Sequence, residues 1–106
     1  MGSERVFRPV VLGGDIGAYS LARRFHENHG VAADVVSTAG TGLMARSQVF
    51  RHVVEPRMGE PDVLLDLLHR LAPADGTPAL ALASADRLVA LLVQVRDRLA
   101  THVVVP

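Results

Sequence analysis

The chain reads as an α/β protein, a Rossmann-like three-layer fold with a mostly parallel, five-stranded sheet, and three observations predict it. Short runs rich in valine or alanine alternate with longer stretches of helical periodicity. Most of the short runs lack polar alternation, as strands buried on both faces do. The order of elements is strand, helix, strand, loop, strand, helix, strand, helix, strand, which right-handed crossovers wind into a doubly wound sheet.

The strands are expected at Pro9 to Leu12, Val31 to Ser37, His52 to Glu55, Ala79 to Ala83 and His102 to Val105. The first helix, from about Asp15 to His29, places Ala18, Leu21, Ala22, Phe25 and His29 on one face, and Asn28, His29 and Gly30 supply a stop. A second runs from Pro61, suited to a first helical turn, to Leu71, with Leu64, Leu65, Leu68 and Leu71 facing the core and Pro73 ending it. The third begins with Ser84 as N-cap and Asp86 in the first turn, and carries Leu88, Val89, Leu92, Val95 and Leu99 inward. Thr38 to Arg51, Gly- and Thr-rich at its start, reads as a long, partly ordered loop.

The length of 106 residues is that of one domain able to bury a core without staples. With no cysteine, disulfides, thiolate metal sites and a Cys nucleophile are excluded. The 11 basic and 11 acidic residues give a net charge of zero and no basic stripe, so nucleic acid is not expected as a partner. All the basic residues are arginine, which excludes a Walker-type phosphate lysine, a Schiff-base lysine and a lysine general base within this chain. The longest apolar stretch, Ala79 to Val95, is interrupted by Ser84, Asp86, Arg87 and Gln94, so no membrane span is expected. Met1 to Arg8 lacks the pattern of a secretory signal, and a cytoplasmic location is the expectation.

Candidate chemistry concentrates in VVLGGDIGAYSLARRF, a strand followed by Gly13, Gly14 and Gly17 and then a helix. Gly14 and Gly17 keep the spacing of the second and third glycines of a dinucleotide-binding turn, but Leu12 stands where the first would be. The acidic residue that would hold a ribose at the end of the second strand is replaced by Ser37 and Thr38, and Asp34 comes too early. An NAD(P)-binding domain therefore ranks third among the readings. A glycine turn before a free helix N-terminus still offers N–H groups to an anion. Asp15, Tyr19 and Arg23 follow at four-residue steps as a polar line, and a carboxylate-bearing small molecule would suit Arg23 and these amides, or Asp15 could cap the helix while Arg23 pairs with Glu27. His26 and His29 have a spacing that can share a metal, but no third ligand lies near them in sequence, so no metal site is expected. No G-x-S-x-G elbow occurs.

The run VVLGGDIGAYSLARRFHENHGV, together with ALASADRLVALLVQVRDRLATHVVVP, resembles the N-terminal pre-ATP-grasp domain of the carboxylate-amine ligase group of ATP-grasp proteins. That group includes D-aspartate ligase-like enzymes and is more distantly similar to carbamoyl-phosphate synthase. The motifs are the Gly-Gly-Asp turn leading to Tyr19, Ser20, Ala22, Arg23 and His26, Ser47 after the second strand, and the terminus from Val103 to Pro106. The resemblance implies a substrate pocket lined by Gly13, Gly14, Asp15, Tyr19 and Ser47, with Arg23 a further substrate-binding candidate whose helix face could turn away. It further implies that the chain is the N-terminal part of a longer one, whose following ATP-grasp domains bind ATP and Mg²⁺ and activate a carboxylate as an acyl phosphate for an amine to attack. On that reading this chain holds no catalytic residue and no cofactor and is inert alone, its partners being a small carboxylate or amine and those C-terminal domains. The rival is a stand-alone Rossmann-like module that binds a small anion or a protein.

Overall fold

A computed structural model describes residues 7–13, 16–38, 50–72, 77–99 and 103–105. The strands are β1 (Arg8–Leu12), β2 (Ala33–Ser37), β3 (Phe50–Val54), β4 (Ala79–Ala83) and β5 (Val103–Val104). The helices are α1 (Ile16–His29), α2 (Pro61–Leu71) and α3 (Asp86–Val95), the last tightening into a 3₁₀ turn at Arg96–Arg98. The sheet has five strands in the order β3-β2-β1-β4-β5, all parallel. This is the expected Rossmann-like arrangement.

The central strands β1 and β2 are buried on both faces, whereas the edge strands β3 and β5 expose Val54 and Val104. Val10, Leu12, Val36, Ala79 and Ala81 meet Leu64, Leu67 and Leu68 of α2 and Leu88, Leu92 and Val95 of α3. Val11, Ala33 and Val35 point the other way, onto Ala18 and Ala22 of α1. The alanines of α1 carry no bulk, so the helix can lie close to the sheet. Each fully buried leucine or valine contributes about 1.5–3 kcal/mol relative to exposure.

The helix termini correct the expectations in places. Ser84 is not the N-cap of α3: Ala85 takes that position in extended conformation, without a side-chain cap bond. The Ser84 amide instead donates to the Leu12 carbonyl at 3.3 Å, prolonging the β4–β1 ladder, and the Ala85 carbonyl accepts the amides of Leu88 and Val89. Val89, expected inside, is 45% exposed, because the inward stripe runs through Leu88, Leu92 and Val95 and leaves Val89 and Val93 on its flank. On α2, Leu65, expected to face the core, is only half-buried, and Leu67, which the expected face did not include, is buried. Pro61 does sit in the first turn of α2.

The third strand starts earlier than its apolar residues suggest. Phe50 and Arg51, read as the end of a loop, pair with Ala33 and Asp34, and residues 39–49 of that loop lie outside the described residues. The cause is a buried ion cluster. Asp34 is fully buried, and its carboxylate accepts Nε and a terminal nitrogen from Arg8 (3.2 and 2.6 Å) and the same two donors from Arg51 (2.9 and 3.1 Å). On the opposite face of the same strand pair, Ser37 Oγ lies 2.7 Å from His52 Nε2. Each contact names its partner, so the two hold β3 in one register against β2.

Candidate functional site

In an open parallel sheet, ligands are received beyond the carboxyl ends of the strands, where the order reverses. Here the reversal lies between β1 and β4: the chain leaves β1 for α1 on one face and β4 for α3 on the other. Gly13 ends β1 at φ 134°, a conformation that side-chain-bearing residues rarely adopt, and its amide donates to the Val36 carbonyl at 2.7 Å.

A cleft of about 340 Å³ opens at this edge, between the segment linking β3 to α2 and one side of α3. Its first wall is Pro56, Met58 and Gly59; Thr38, just past β2, closes one end; Arg87, Leu91 and Gln94 line α3. The first wall is held firmly. Met58 is 3% exposed and anchors the turn in the core, and its amide donates to the Glu55 carbonyl. Arg57 grips both oxygens of Glu60 (2.9 and 2.8 Å), which raises the arginine above and lowers the carboxyl below its ordinary pKa.

The second wall carries the contrasting arginine. Arg87 has no hydrogen-bond or ion-pair partner among the described residues, and it occupies the first turn of α3, where the helix dipole disfavours a cation. Gln94, two turns along the same side, has no polar partner among them either. With Leu88, Leu91 and Met58 supplying apolar surface, the cleft can hold a partly apolar anion. Its described lining includes no carboxylate and no imidazole.

None of the sequence-derived site residues that are described lines this cleft. Gly13 lies at the carboxyl edge; Gly14, Asp15 and Ser47 are outside the described residues. Tyr19 and Arg23 stand on α1, which covers the opposite face from α3. The Arg23 guanidinium is 3.5 Å from both the Tyr19 hydroxyl and Glu27 and 5.7 Å from the Tyr19 ring centre; the hydroxyl first and the carboxylate second raise its pKa. This is the Arg23–Glu27 pairing that the helical spacing allowed. Sequence reasoning missed Thr38, Arg87 and Gln94. One signal was readable: an arginine directly after Asp86 at a helix start, against the dipole.

Among the described residues, no three His, Asp or Glu side chains converge as a metal site would need, and no helix is long and apolar enough to cross a membrane. Compared with known proteins, the chain matches no protein-family model and no curated sequence.

Proposed function

We propose that this chain is the N-terminal, substrate-side module of an ATP-dependent carboxylate-amine ligase of the ATP-grasp kind. The observation that carries the reading is the cleft at the carboxyl edge, beside the strand-order reversal, with one unpartnered arginine among its described walls. A parallel sheet in this order, a glycine turn after β1 and the absence of lysine also support it. The described lining offers neither lysine nor carboxylate for MgATP, so no phosphoryl-transfer step is assigned to this chain. Its part is to receive and orient the carboxylate or amine while the following ATP-grasp domains activate it.

The same arginine favours a second reading, a stand-alone module that binds a small anion. NAD(P) binding finds less support. The acidic residue nearest the expected ribose position, Asp34, is buried and held by two arginines instead of standing at the sheet edge.

The deciding experiment is to read the source gene in frame past the Pro106 codon and to assay the whole product for carboxylate- and amine-dependent ADP release. A continuation with lysines on strand patterns and a glycine-rich loop, together with ADP release, upholds the ligase reading. A stop codon at that point, or tight ATP binding by the present chain alone, overturns it.

A further inference from the structure

We infer that the cleft between Pro56–Gly59 and α3 is a binding site for an elongated small molecule with a single carboxylate, received by Arg87, an apolar middle, and a hydrogen-bonding group that reaches Gln94. This deepens the preceding reading and rests on its assignment of the carboxyl edge as the substrate side.

Charge argues for the anion. An exposed guanidinium without a partner among the described residues, placed where the dipole of its own helix weakly opposes it, gains a neutralising partner when an anion binds. The N-terminus of α3 adds to the demand, since Ala85 has no side chain to cap its amides. Asp86, which precedes Arg87, favours the dipole but does not line the cleft.

Among the described residues, the number of cations lining the cleft argues for a single carboxylate. One planar guanidinium matches one carboxylate through two parallel bonds, whereas a doubly charged phosphate ester calls for a second cation. The other arginine of the neighbouring turn, Arg57, has its fork on Glu60. Helix geometry sets the length: Arg87 and Gln94 are separated by roughly 10 Å along the axis. Ala90, Leu91 and Met58 also line the cleft, which suits a short hydrocarbon or peptide-like body. The cleft's 340 Å³ falls within the range of small-molecule sites.

The test is a titration of this chain, isotope-labelled for NMR, with N-acetyl-leucylglycine as carboxylate probe, its C-terminal amide as neutral control, and inorganic phosphate. The carboxylate should bind about tenfold or more tightly than the amide, because a charge-assisted bond is lost in the control. It should move the resonances of Met58, Leu91 and Gln94. Arg87→Gln should erase the preference while Arg24→Gln, an exposed arginine of α1, preserves it. The inference is overturned if acid and amide bind alike, if phosphate binds as tightly as the peptide acid, if folded Arg87→Gln keeps the preference, or if no probe saturates. None of these outcomes depends on ATP, so the ligase reading and this one can fail separately.

Discussion

Replacing Asp34 with asparagine removes the one negative charge between two guanidinium groups in a fully buried position. Asparagine keeps the shape, but its NH₂ would face arginine donors where an oxygen now accepts two of them. Removing one partner of a buried ion pair costs about 3–5 kcal/mol. The lower end applies here, because Arg8 and Arg51 are 29% and 59% exposed and can turn toward water. A loss of about 3 kcal/mol lowers the melting temperature of a domain this size by roughly 12–24 °C, a large part of a typical stability. Arg51→Met should cost only about 1 kcal/mol, since Asp34 keeps Arg8 and Arg51 is mostly in solvent. The triple variant Arg8→Met, Asp34→Leu, Arg51→Met should regain most of the loss, because it leaves no unpaired charge inside. Urea unfolding followed by circular dichroism measures all three. If Asp34→Asn costs less than about 1 kcal/mol, or less than Arg51→Met, the cluster does not hold the sheet as argued.

Three further outcomes follow from the same structure. Leu92→Ala, at a 2% exposed position, should lose about 2–5 kcal/mol, whereas Val89→Ser on the same helix should stay within about 0.5 kcal/mol; equal losses in urea titrations would put the inward face of α3 elsewhere. Gly13→Asn should cost about 1–3 kcal/mol because asparagine does not reach φ 134°, while Gly30→Asn, at φ 67° with open space around a new Cβ, should be milder; a reversed order of unfolding midpoints would refute the assignment of strain to the β1 turn. The pairing with Arg57 depresses the Glu60 carboxyl below its ordinary 4.5, so the stabilisation is present above that value and is lost as pH falls through the lower, folded one; the acid limb of a stability–pH curve should soften in Glu60→Gln, and an unchanged limb would show that the pair contributes nothing.

Much of the fold was legible in the chain because it depends on local pattern. Runs such as Pro9–Leu12 and Ala79–Ala83 are apolar on both faces, and that alone points to a covered parallel sheet. Pro61 marks the start of α2 because a proline at a helix start forfeits no hydrogen bond. Glycine after β1 announced a tight turn, and Gly13 takes a backbone conformation that needs one. The inward face of α3 was less legible: Leu88 and Val89 are adjacent and equally apolar, and only the sheet beneath selects between them.

The candidate site was legible only in part, because its walls come from segments far apart in sequence. Arg87 and Gln94 stand seven positions apart on one helix and could be grouped by periodicity, but Thr38 and Met58 join them only through the strand order β3-β2-β1-β4-β5. Asp34 shows the same division. Within VAADVVS an aspartate looks like an interruption of a strand, and its two partners lie 26 and 17 residues away. Local chemistry determined which segments are strands and helices, since propensity and burial pattern act over a few residues. The tertiary structure alone decided which charges meet and which arginine is left to face a cleft, because Coulomb forces and hydrogen bonds depend on distances that only the folded sheet sets.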